Sequence, residues 1–72
     1  MKRIVAANRI VVDDTEEIEL GVVEIDTDSV VKVYRLNGEQ PFTEWLGGTI
    51  SVRKSADGMS RAFWQGKLLT SE

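Results

Sequence analysis

Carboxylates are the most abundant side chains in this sequence that could take part in catalysis or metal binding. A segment without any basic residue contains eight of them: Asp13, Asp14, Glu16, Glu17, Glu19, Glu24, Asp26 and Asp28. Closely spaced carboxylates are typical of calcium ligands, which makes residues 13–17 a candidate calcium loop. The segment lacks the glycine and the spacing of an EF-hand loop, so an acidic turn in contact with solvent is the better interpretation.

The sequence contains neither histidine nor cysteine. This excludes, within one chain, a Cys/His zinc site, a disulfide framework and any histidine-based general base or triad. The serines have no histidine to activate them, and Gly47-Gly48 lacks the frame of a phosphate-binding loop. A glycosidase pair of carboxylates needs a substrate cleft, for which 72 residues leave little room. We therefore predict a chain that is not an enzyme and has no catalytic residue, metal site or cofactor.

A stripe of positive charge is a further candidate for binding. Arg53, Lys54, Arg61 and Lys67 can lie along the last predicted hairpin with Trp64 beside them, which in outline resembles a platform for single-stranded nucleic acid. Charged outer faces of hairpins have the same pattern, and a net charge of −3 disfavours phosphate binding. We do not expect nucleic acid to be a main partner.

Three large aromatic side chains are the candidates for protein contact, namely Phe42, Trp45 and Trp64. Tryptophan is enriched at interface hot spots, and the edges of an open sheet invite pairing with another chain. The predicted partner is a second copy of the chain, in a homo-oligomer, or another protein. Two alternatives stay open: Glu44 and Trp45 form the lip of a small-molecule pocket, as in a binding domain or a minimal enzyme, or Phe42, Trp45 and Leu46 plug an open end of the sheet.

The strongest structural signal is a β-hairpin over residues 18–36. Val, Ile, Leu and Tyr dominate both halves, and Thr27-Asp28-Ser29 supplies the turn between them. Residues 2–12 form a preceding strand that is apolar on both faces, with a bulge or a corner at Asn8-Arg9.

The second half of the chain predicts one helical turn and a second hairpin. Thr43 can cap a single helical turn near residues 42–46, which Gly47-Gly48 would end. Residues 49–54 alternate as a strand, Asp57-Gly58 is a turn, and residues 59–70 form a long return strand bent near Gly66. Adjacent strand residues point to opposite faces, so one residue of Phe63-Trp64 belongs to the core and the other to the surface.

These elements predict one all-β domain over residues 1–72. We expect a small antiparallel meander of about five strands, closed as a barrel or folded as a compact sandwich. No signal peptide is evident, and no apolar stretch approaches the roughly 20 residues of a membrane span. The expected location is the cytoplasm.

Two strand-like phrases, KRIVAANRIVV at residues 2–12 and LGVVEID at residues 20–26, are separated by the acidic turn. This arrangement resembles the opening of amidohydrolase-superfamily enzymes, in which an N-A-R-I-like strand precedes a turn and a G-V-V/I-x-I-x strand. The similarity covers residues 2–36 and implies the small composite β-domain that packs beside the metal-dependent barrel of that family. Those enzymes continue into a metal-binding H-x-H segment, whereas this chain has no histidine. The resemblance therefore implies an accessory β-domain standing alone, without hydrolase activity or metal ligands.

Overall fold

The computed structural model describes residues 2–38 and 42–71, and all the regular structure in them is β-strand. The strands are β1 Lys2–Val12, β2 Glu16–Asp26, β3 Ser29–Arg35, β4 Thr43–Trp45, β5 Thr49–Lys54, β6 Ser60–Trp64 and β7 Lys67–Leu68. The predicted all-β class is confirmed. Within these residues, no helix is long and apolar enough to cross a membrane.

The strands form one open sheet in the order β3-β2-β1-β5-β6-β7, with β4 also paired to β1. The predicted barrel is wrong, because the sheet does not close, and a single sheet is not a sandwich of two. The antiparallel meander is also only part of the topology. β1 pairs antiparallel with β2 but parallel with both β4 and β5. β3 and β4 both run in the same direction as β1, with β3 next to β2 and β4 next to β1.

The helical turn predicted near residues 42–46 is wrong. Thr43 and Trp45 instead lie in β4, where they pair with Ile4 and Ala6 of β1. The edge of β1 leaves backbone groups that need partners, and an extended segment satisfies them better than one helical turn. The backbone N–H of Leu46 continues the pairing by donating to the Ala6 carbonyl over 2.8 Å.

The first two strands bend together in their middle. Val5 and Ala7 of β1 face the core before the bend, and Ile10 faces it after the bend. Side chains alternate along a strand, so this change from odd to even positions requires the strand to rotate at Asn8-Arg9. The register to β2 is unchanged across the bend. The predicted corner at Asn8-Arg9 is confirmed, and it contains no extra residue.

Gly21 allows this bend. A Cβ built on Gly21 would overlap Cγ1 of Ile10, whose side chain is fully buried. Leu20, the residue before it, has a φ of 51°, which is rare for a bulky side chain. The missing side chain at Gly21 therefore leaves the space that Ile10 fills.

A single core lies on the inner face of the curved sheet. Its buried members come from β1, β2, β5, β6 and the C-terminal segment: Val5, Ala7, Ile10, Val23, Ile25, Ile50, Val52, Ala62 and Leu69. Trp64 packs against this cluster from its margin, together with five aliphatic side chains: Val12, Ile18, Val30, Val33 and Leu46.

The C-terminal segment ties the two ends of the open sheet together. Leu69 N donates to the Ala62 carbonyl of β6, and Ser71 N donates to the Thr27 carbonyl in the β2–β3 turn, both over 2.8 Å. The Ser71 hydroxyl accepts a further bond from Thr27 N at 2.7 Å. The predicted long return strand is thus two short strands, β6 and β7, followed by a crossing segment.

We predict that Gly21→Ala lowers the free energy of unfolding by about 3 kcal/mol, the upper end of the usual cost of overpacking a core. Chemical denaturation measures this loss. Gly38→Ala is the control, because Gly38 has a φ of 73° and open space where the Cβ would lie. Gly38→Ala should lower the free energy of unfolding by roughly 1–2 kcal/mol, which is the cost of placing alanine in the left-handed backbone region. Equal losses in the two variants would contradict the overlap with Ile10.

Candidate functional site

Four residues form a row across the outer face of the sheet. Trp45 of β4 pairs with Ala6 of β1, Ala6 pairs with Val22 of β2, and Val22 pairs with Tyr34 of β3. Their strand neighbours Val5 and Val23 belong to the core, so the row lies on the opposite face. We call Trp45, Ala6, Val22 and Tyr34 the outer row.

The outer row has a covered centre and an exposed end. Ala6 and Val22 are 1% and 0% exposed. Trp45 remains 53% exposed, and Leu20, two residues before Val22, is 49% exposed. This part of the outer face therefore presents apolar surface to solvent.

The other end of the outer row is polar and fixed. The Tyr34 hydroxyl donates to Glu24 Oε2 at 2.7 Å, and Lys2 Nζ donates to Glu24 Oε1 at 3.1 Å. These bonds, the one from Tyr34 first, hold the pKa of Glu24 below its ordinary value because they favour the charged carboxylate. The Lys32 ammonium lies 5.5 Å from the centre of the Tyr34 ring. Tyr34 is thereby anchored at the phenol and stacked against a cation.

The Gly47-Gly48 turn lies between the two tryptophans. Both glycines have positive φ, 75° and 65°. The Trp64 indole N–H donates to the Gly47 carbonyl at 2.9 Å, and a Cβ on Gly47 would lie 3.5 Å from Trp45 Nε1. Asn8 Oδ1 accepts from Gly48 N at 2.8 Å. The turn therefore joins β4 to β5 along one edge of β1 and fixes Trp45 at the end of the outer row.

The three predicted contact residues have different environments. Phe42 is 94% exposed and has a φ of 62°, and Trp45 is half-exposed. Trp64 is partly buried against the core, and its indole N–H is used within the chain. Of the adjacent pair Phe63-Trp64, the tryptophan is thus the one on the core side. A contact role for Phe42, Trp45 and Trp64 stays a prediction.

Glu44 binds Arg3. Arg3 Nε and Nη2 donate to its two carboxylate oxygens at 3.1 and 3.0 Å, and the same guanidinium donates to the Thr70 carbonyl. The hydrogen bonds from Arg3 lower the pKa of Glu44. Glu44 therefore helps to hold the C-terminal segment. A ligand pocket at Glu44 and Trp45 stays a prediction.

Two clefts on the outer face adjoin at Thr49. The first, of about 490 Å³, is lined by Asn8, Arg9, Glu17, Glu19, Leu20, Gly48 and Thr49. The second, of about 340 Å³, is lined by Thr49, Ser51, Arg53, Phe63, Gln65 and Gly66. In the first cleft Arg9 lies 3.6 Å from the Glu17 carboxylate, so its charge is balanced there.

The predicted positive stripe is interrupted by acids. Arg61 makes two hydrogen bonds with Asp57, both 3.1 Å, and lies 3.5 Å from Asp28. The bonds from Arg61 lower the pKa of Asp57, and Asp57 in turn raises the pKa of Arg61. Arg53 lies 3.9 Å from Asp14.

Of the acidic segment, residues 13–15 form the β1–β2 turn, and residues 16–26 form β2. Asp13 Oδ1 accepts from the backbone N–H of Lys54 at 3.0 Å, and Asp13 N donates to the Val52 carbonyl at 2.8 Å. In residues 2–38 and 42–71, no group of three or more Asp or Glu side chains is arranged to hold a metal ion.

Sequence reasoning missed Asn8, Leu20 and Tyr34 as parts of this surface. Asn8 could have been identified from the sequence, since it is a lone amide within an apolar strand. The glycine that follows Leu20 was a weaker indication for that residue. Nothing in the sequence indicates Tyr34, because its neighbours in the outer row lie on three other strands.

Comparison with protein-family models, with curated proteins and with solved structures gave no significant match. The similarity of residues 2–36 to the amidohydrolase composite domain therefore stays a prediction.

We predict that Asn8→Ala lowers the free energy of unfolding by about 1 kcal/mol, because Gly48 N loses its acceptor. Asn8→Asp keeps an oxygen at the same place and should stay close to the wild type. Urea denaturation of the three proteins measures the difference. An Asn8→Asp variant as unstable as Asn8→Ala would contradict the role of the bond.

The lowered pKa of Glu24 leads us to predict that the protein loses stability in acid. This pKa is lowered in the folded state, so the unfolded chain binds more protons once the pH approaches the ordinary value of 4.5. The stabilisation is complete above that pH and is lost as the pH falls through the folded-state pKa. Glu24→Gln should therefore lose less stability than the wild type between neutral pH and about pH 3, as measured by urea denaturation.

The Glu24→Gln variant should still lose some stability as the pH falls, because Glu44 and Asp57 also have lowered pKa values. Glu16→Gln, which removes an exposed carboxylate from the same strand, is the matched control. If both variants lose as much stability as the wild type, the bonds from Tyr34 and Lys2 do not stabilise the fold.

Proposed function

We propose that this chain is a non-enzymatic self-association module that forms a two-fold dimer through the outer row. The observation that supports the proposal is that Trp45, at one end of the outer row, and Leu20, on the same face, are both about half exposed. Tryptophan is one of the residue types enriched among the hot spots that dominate binding energy. An exposed apolar patch on a small domain marks a place where another surface packs.

The charges around the outer row favour a second copy as the partner. A two-fold contact places the same patch against itself, so a charged patch would bring like charges together. Here the charges at the Tyr34 end of the outer row are matched within the chain, since Lys2 pairs with Glu24 at 3.1 Å. The net charge of −3 therefore does not oppose a contact at this face.

The backbone that carries Trp45 is ordered before any partner arrives. β4 is paired to β1, and Asn8 and Trp64 fix the turn that follows Trp45. An ordered backbone loses little conformational freedom on binding, which favours association. Phe42, one residue before β4, would extend the contact beyond the row.

A ligand-binding function is the second candidate, since the two clefts of the outer face offer it space. The similarity to the amidohydrolase composite domain favours a role in protein contact, because such a domain packs against a neighbouring protein surface. The lack of histidine and cysteine and the pairing of Glu44 with Arg3 support a non-enzymatic role.

We predict that Trp45→Ser weakens self-association by roughly tenfold or more, the loss expected for a hot-spot residue. Sedimentation velocity over a wide concentration range measures the dissociation constant. Val31→Ser is the matched control, because Val31 is 54% exposed but lies outside the outer row. A wild-type chain that stays monomeric throughout, or equal losses in the two variants, would contradict the proposal.

A further inference from the structure

The second cleft combines an aromatic wall with a row of hydrogen-bond donors. Thr49, Ser51 and Arg53 alternate along β5 with the buried Ile50 and Val52, so they share the outer face. Phe63 of β6 lies opposite Ser51 in the register and lines the same cleft. Two hydroxyl groups and a guanidinium thus follow one another along the strand beside a phenyl ring.

The turn between β6 and β7 closes one end of this cleft. Gln65 and Gly66 both have positive φ, 53° and 78°, as a two-residue type I′ hairpin turn requires. The strands on either side are paired, with Trp64 opposite Lys67. The turn therefore has one fixed geometry, and Gln65 borders the cleft from a rigid position.

Arg53 is the cation that lines this cleft, and its guanidinium N–H groups can donate hydrogen bonds to a ligand. Its guanidinium is 3.9 Å from Asp14, beyond hydrogen-bond distance, and its side chain is 63% exposed. Arg61, which pairs with it across the strands, instead makes two bonds with Asp57 and is 20% exposed. Bidentate recognition of carboxylate or phosphate is the chemistry to which a guanidinium is best suited.

We propose that this cleft binds a small anion that carries a planar ring. The ring lies against Phe63, and the carboxylate or phosphate accepts hydrogen bonds from Arg53 and from the hydroxyls of Thr49 and Ser51. The cleft volume of about 340 Å³ is at the small end of the range for ligand sites, which limits the ligand to one small molecule. This site is separate from the outer row and does not depend on self-association.

The first cleft does not offer the same chemistry. Its cation, Arg9, lies 3.6 Å from Glu17, and Glu17 and Glu19 both line this cleft, whereas Asp14 is not among the residues that line the second. An anion entering there would meet two like charges. Its wall is the aliphatic Leu20, which offers no ring for stacking.

Nuclear magnetic resonance titration of the full chain tests the proposal. The probes are adenosine 5′-monophosphate and indole-3-acetate, which carry the same combination of ring and anion with different anionic groups. Adenosine and indole are the ring-only controls, and inorganic phosphate is the anion-only control. At least one of the two probes should shift the amide resonances of Thr49, Ser51, Gln65 and Gly66 in a saturable way.

Arg53→Gln should weaken binding of that probe at least tenfold, whereas Lys54→Gln, the adjacent lysine outside the cleft, should leave it unchanged. Binding of both probes would show that the site takes either anionic group; binding of one would identify which. The proposal is overturned if neither probe gives saturable shifts, if the shifts map elsewhere, or if the two variants bind alike. It is equally overturned if a ring-only compound or phosphate alone binds as tightly as the probe.

Discussion

The close approach of Ile10 to the backbone of Gly21 is the constraint on which the rest of this structure depends. Ile10 is fully buried, and it occupies the space that any side chain at position 21 would need. Because the two strands bend together there, the first half of β1 contributes Val5 to the core and the second half contributes Ile10. One long strand thereby serves both halves of a small core, which a straight strand of the same sequence could not do.

The same bend explains why the outer face is divided into different surfaces. Before the bend, the even residues of β1 face outward, and Ala6 lies in the outer row between Trp45 and Val22. After it, the odd residues do so, and Arg9 pairs with Thr49 at the junction of the two clefts. The amide of Asn8, at the bend itself, holds the Gly48 backbone where β4 passes into β5. An exposed apolar surface and a polar cleft can therefore coexist on one sheet.

The parts of the fold that depend on neighbouring residues were predictable from the sequence. The hairpin of β2 and β3, its turn at Thr27-Asp28 and the strand Thr49–Lys54 all appear as expected, because turn residues and alternation act locally. The parallel pairing of β4 was not predictable, since the free edge of β1 decides it from about forty positions away in the chain. The candidate site divides in the same way: Trp45 stood out by residue type, whereas Tyr34 joins it only through the register of three strand pairs.

A double-mutant cycle between Gly21→Ala and Ile10→Ala tests this account most directly. Ile10→Ala removes the Cγ1 atom that a Cβ at position 21 would overlap. We therefore expect Gly21→Ala to cost much less stability in the Ile10→Ala background than in the wild type, with a coupling energy of at least about 1 kcal/mol. If the two losses add to within about 0.5 kcal/mol, the two residues are energetically independent and the bend does not depend on their contact.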